Sequence, residues 1–110
     1  MSTNNANITS DEQIHLLDDL QSLLEKQIEM ARRSNFRSVE VLAEQADSIV
    51  DEIVRTRAFE QDEFNNRREC LAKLYKGLEL MLAAEKNHVD KQLQRISEGK
   101  KTLRAYRGNG

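Results

Sequence analysis

Proline and tryptophan are absent from this sequence, glycine occurs four times and cysteine once. Without proline there is no rigid linker. With two of the glycines at the C-terminal tip there is no glycine-rich phosphate loop and little of the turn chemistry a β-rich fold needs. The single Cys70 excludes an internal disulfide and fits a reducing compartment; beside Leu71 it reads as a small buried hydrophobe rather than a reactive thiol. No stretch approaches the roughly 20 apolar residues of a membrane span. The N-terminal stretch Met1–Thr9 is polar and uncharged, unlike a signal peptide, so the expected location is cytoplasmic.

What is present is charge and helical periodicity. Hydrophobic residues make up 38% and charged residues 33% of the chain, against about 45–50% and about a quarter in ordinary domains, so any core must be a thin seam between helices with charged outer faces. The length suits one domain. Residues 1–9 read as a disordered leader. Ser10 and Gln13 suggest a capping box opening helix 1 over about residues 11–33, with Ile14, Leu17, Leu20, Leu24 and Ile28 stepping by three or four. Ser34 and Asn35 supply a break. Helix 2, about 36–57, carries Val39, Leu42, Ala46, Ile49 and Ile53; the connection near Arg57–Gln61 is weakly signalled because it lacks glycine and proline.

From about residue 62 to 107 nothing punctuates the helical pattern, which predicts one third helix of about 67 Å, twice the length of its neighbours, with a flexible tip at 108–110. Leu71, Leu74, Tyr75, Leu78, Met81 and Leu82 form a dense stripe, interrupted by Glu85, Lys86, Asn87 and His88. Beyond them Val89, Leu93, Ile96, Leu103 and Tyr106 form a narrower one, the spacing of a helix-pairing seam. The expected fold is therefore all-α: an antiparallel three-helix, coiled-coil-like bundle with an elongated C-terminal helix whose second half is left uncovered. An uncovered stripe is a binding surface or a subunit interface. Gly77 reads as a site of close helix approach and Gly99 as a flexible point, although either is also tolerable in a long helix.

Catalytic and cofactor chemistry find little support. Glu12/His15 and Glu85/His88 have a metal-binding spacing found in carboxylate di-iron bundles, but in an up-down-up bundle the two pairs would lie about 39 Å apart, so no metal site is expected. No nucleophile and base stand at a recognisable spacing, and neither an enzyme nor a cofactor is implied. Charge is polarised: residues 86–110 carry seven Lys/Arg and two Asp/Glu, while residues 1–85 carry ten and seventeen. A basic C-terminal helix can meet nucleic acid, yet the cations also suit a helix C-terminus and the whole-chain pI is about 5.7, so nucleic acid is a minor alternative.

The ending Gly-Lys-Lys-Thr-Leu-Arg-Ala-Tyr-Arg at residues 99–107, and the run Asn-Phe-Arg-Ser-Val-Glu-Val-Leu at residues 35–42, resemble small flagellar type III export chaperones of the FlgN/FliT kind. The resemblance implies a helical bundle that captures a C-terminal helical segment of a hook-associated or filament-cap protein, prevents its assembly and delivers it to the export apparatus. It implies docking to the export gate through Tyr106. On this reading Val89, Leu93, Ile96 and Leu103 bind the client helix. A structural coiled-coil subunit, burying the same stripe in a homodimer, is the alternative from a different class.

Overall fold

The computed structural model describes the backbone of residues 2–85 and 90–107 and the side chains of residues 11–85 and 90–106. Within them lie four α-helices, α1 (Ser2–Arg32), α2 (Phe36–Thr56), α3 (Asn65–Ala83) and α4 (Asp90–Arg107), with 3-10 turns at Ala58–Glu60 and Asp62–Phe64. No strand occurs among the described residues.

Helix directions follow from contacts at known heights. Near the start of α1, Gln13 donates through Nε2 to the carbonyl of Thr56 at the end of α2, 2.7 Å away, so α1 and α2 form an antiparallel hairpin. The chain turns there because Ser34 adopts a left-handed φ of 60° and Asn35 caps α2, its side-chain oxygen accepting from the Ser38 amide at 3.2 Å. Arg57, also left-handed, ends α2, its amide reaching the Ile53 and Val54 carbonyls. Arg67 pairs with Asp18, which sets α3 parallel to α1. Glu79 meets Ser97 and Lys100, and Arg68 meets the Tyr106 carbonyl, so α4 returns antiparallel to α3 and lies alongside α2. The result is two helical hairpins packed side by side.

The expected single helix over 62–107 is therefore two helices, and the three-helix arrangement gives way to a four-helix one. Proline and glycine were not needed for the break. The turn falls where the apolar stripe thins, after Ala84, where no bulky side chain would hold a continuing helix to the core. Folding back buries Ile96 and Leu103, at 2% and 1% exposure, and each such burial is worth about 1.5–3 kcal/mol. Ending one helix and starting another forfeits helical hydrogen bonds worth about 1 kcal/mol each, which this burial offsets.

The core is built from Leu17, Leu20 and Leu24, Val39 and Ile53, and Leu71, Tyr75, Leu78 and Leu82, with Ile96 and Leu103 closing it. The face of α1 is rotated slightly from the expected stripe: Gln13 and Gln27 are buried, while Ile14 is 39% exposed. The weakly signalled connection contributes Ala58, Phe59 and Phe64 to the interior. At the N-terminus α1 runs from Ser2, so Ser10 lies inside the helix rather than capping it, and the backbone of residues 2–9 continues α1 instead of forming a separate leader. The tip at 108–110 lies outside the described residues. Cys70 is exposed, contrary to the buried expectation, because the buried positions of α3 are 68, 71, 75, 78 and 82, and residue 70 sits about 100° round the helix from 71. No described helix is long and apolar enough to cross a membrane.

Candidate functional site

The candidate site is the interface that α4 makes with α2 and α3, since it holds every described residue of the expected client stripe. Leu93 is half-buried against the core, and Ile96 and Leu103 are within it. Spaced by three and seven residues, these side chains share one face of α4. That stripe is not an open groove: the chain's own helices cover it. Val89 lies outside the described residues.

Tyr106, the expected docking residue, is half-buried, its ring 5.7 Å from that of Phe59 and tilted 41° to it. Arg68 reaches beneath, donating through Nη1 to the carbonyl of Phe59 and, at 3.5 Å, to that of Tyr106. Arg68 is 8% exposed, and its guanidinium sits where the α4 carbonyls end, the place a helix favours a cation. Arg68 and Phe59 were missed in the sequence. The signal for Phe59 was a bulky aromatic in a connection whose other residues, Ala58 apart, are charged or polar.

Polar ties hold α4 at three further heights. Gln92 donates to the Phe36 carbonyl at 2.8 Å, Arg95 pairs with Asp47 at 3.1 Å, and Glu79 accepts from Ser97 at 2.5 Å and from Lys100. The Lys100 and Ser97 hydrogen bonds hold the Glu79 carboxyl below its ordinary pKa. Burial pushes that of Asp47 up, which Arg95 only partly opposes; Asp51, Glu98 and Glu44 add to the rise.

The fit is incomplete. Oε1 of Gln92 and the hydroxyl of Tyr75 are buried without a hydrogen-bond partner, and burial raises the Tyr75 hydroxyl far above its ordinary pKa, so it stays neutral. Tyr75 lies against Gly99 of α4, where an added Cβ would stand 2.6 Å from ring carbon Cε1. Close approach thus belongs to Gly99 and not to Gly77, whose Cβ would meet nothing within 4 Å.

As to metal, no group of three or more His, Cys, Asp or Glu is placed to hold an ion among the described residues; His88 lies outside them. Comparisons with protein-family models, with curated proteins and with solved structures give no match to this chain.

Proposed function

We propose that this protein is a helix-exchange binding module of the flagellar type III export-chaperone kind, in which α4 occupies the groove between α2 and α3 until a client helix takes its place. The single observation that carries the reading is the quality of the α4 interface. Two fully buried apolar side chains, Ile96 and Leu103, contribute on the order of 3–6 kcal/mol. Two orphaned polar atoms, on Tyr75 and Gln92, each cost about 1–3 kcal/mol. Half-buried Leu93 and Tyr106 and the ties at Gln92, Arg95 and Lys100 add to its hold, but α4 brings fewer fully buried apolar side chains than any other described helix, so it is the helix expected to open locally first.

The client would be an amphipathic C-terminal helix of a hook-associated or filament-cap protein, buried against Tyr75, Leu78 and Leu82 in place of Ile96 and Leu103. Kept there, it cannot assemble with other subunits. Leu93, Ile96 and Leu103 serve as the stand-in for the client rather than as its receptor. Displacement would also lift Tyr106 from Phe59 and Arg68, so the docking residue for the export apparatus becomes available only when a client is loaded. No enzymatic step is invoked.

Hydrogen exchange on the full chain, with and without a synthetic client C-terminal peptide, tests the reading. The α4 amides at 90–107 should exchange fastest of the four helices and lose protection further on peptide addition, while those of α2 and α3 gain it. Gain of protection across α4 would mean that the peptide binds elsewhere and that α4 is a permanent part of the core.

A further inference from the structure

We propose that the outer seam between α3 and α4, which exists only while α4 is packed on α3, is a docking groove for an acidic helical segment of a partner protein. A cavity of about 300 Å³ is lined by Glu69, Ala72, Lys73 and Lys76 of α3 and by Lys100 and Arg104 of α4. The antiparallel register, fixed by Glu79 against Ser97 and Lys100 and by Tyr75 against Gly99, sets Lys76 level with Lys100 and Lys73 level with Arg104. These are two facing cation pairs about 5 Å, one helical turn, apart. Ala72, the one small side chain in the lining, leaves depth between them.

Outside the groove, Arg32, Arg33, Arg55, Arg67 and Arg95 each meet a carboxylate, while Lys26, Arg37, Arg57, Lys91 and Lys101 stand at exposed positions without an ion pair among the described residues. In the groove Lys100 meets Glu79, whereas Lys73, Lys76 and Arg104 make no ion pair among the described residues. What sets the groove apart is that four cations line one cavity. Glu69 in the lining and Glu79 beside Lys100 and Lys76 offset part of this charge, but four cations against two carboxylates leave the seam net positive, and an anion laid between them relieves the remaining repulsion. Carboxylates three or four residues apart on a helix repeat at one turn, the spacing of the cation pairs, and Arg104 adds a bidentate donor.

A polyanionic nucleic acid fits less well. The other flank of α4 presents Glu98 beside Asp47 and Asp51 of α2, which repel a broad polyanion, and no aromatic ring lines the groove to stack a base. A narrow acidic helix lying along the seam avoids that flank.

Fluorescence anisotropy of the full chain with a labelled helical peptide of about 20 residues, bearing glutamates one turn apart along one face, tests the proposal. The same peptide with glutamine replacing glutamate should bind about tenfold more weakly or worse. The double variant Lys73→Gln/Arg104→Gln should weaken the glutamate peptide similarly. Lys26→Gln/Arg37→Gln, an equal charge change on exposed positions away from the groove, should leave binding unaltered. Equal binding of the two peptides, equal weakening by both double variants, or tighter binding of single-stranded oligothymidine than of the glutamate peptide would each overturn it.

Discussion

At Gly99 the balance between helix propensity and packing can be decided by magnitude. Alanine there gains about 1 kcal/mol of propensity, but its Cβ would stand 2.6 Å from a Tyr75 ring that is 2% exposed and has nowhere to go. Overpacking of this kind costs about 1–3 kcal/mol, so Gly99→Ala should destabilise the protein. Gly77→Ala, facing open space, should instead stabilise it by about 0.5–1 kcal/mol. Urea titrations of the two variants check both signs. Glu79 supplies a pH test on the same interface. Its carboxyl titrates lower in the folded protein than in the unfolded chain because Lys100 and Ser97 bond its charged form. Its stabilisation is therefore present above the ordinary carboxyl value of 4.5 and lost as pH falls through the lower folded value. Asp47 has the opposite sign: its raised pKa means the folded state takes up that proton first, which favours folding as pH falls. Stability measured at about pH 6 and about pH 3 should therefore drop less in Glu79→Gln than in the parent chain. An unchanged drop would show that the contact to Lys100 does not hold α4.

At the scale of the helices, the reading from sequence succeeded where periodicity was dense and failed where it was sparse. The α1 to α2 hairpin, its Ser34/Asn35 turn and the buried Leu71, Leu78 and Leu82 follow from three-four spacing and turn chemistry. The α3 to α4 break also left a trace, in the thinning of the stripe at Ala84 and the polar run after it. It was read as continuous because a helical pattern without proline or glycine carries no stop signal, and because a partner for a stripe can be the chain itself. The 3-10 turns at Ala58–Glu60 and Asp62–Phe64 carry no periodicity long enough to detect; their phenylalanines are fixed by tertiary burial alone. As for the site, residues 93, 96, 103 and 106 do share one surface, but that surface faces inward. Nothing in a one-dimensional pattern distinguishes an apolar face that awaits a partner from one that has already found it.

For the whole molecule, the arrangement of two hairpins makes α4 the removable part. It follows α3 through a connection after Ala84, ends on the Phe59 and Arg68 contacts, and contributes two of the fully buried apolar side chains, whereas α1, α2 and α3 surround Leu17, Leu20, Leu24, Ile53, Leu71 and Leu78 at zero exposure. On the proposed function, loading, protection and delivery of a client would reduce to one competition between helices for one groove, with Tyr106 reporting the outcome. The most direct test weakens the resident helix and measures the visitor. Leu103→Ala removes a side chain at 1% exposure and should cost the α4 interface about 2–5 kcal/mol. If α4 competes with the client, isothermal titration of this variant with a client C-terminal peptide should show affinity raised about tenfold or more, since each 1.4 kcal/mol of lost competition is worth about a factor of ten, while circular dichroism still reports a folded bundle. A fall in affinity would mean that Leu103 contacts the client directly, and cooperative unfolding of the whole chain would mean that α4 is an inseparable part of the core; either result contradicts the account.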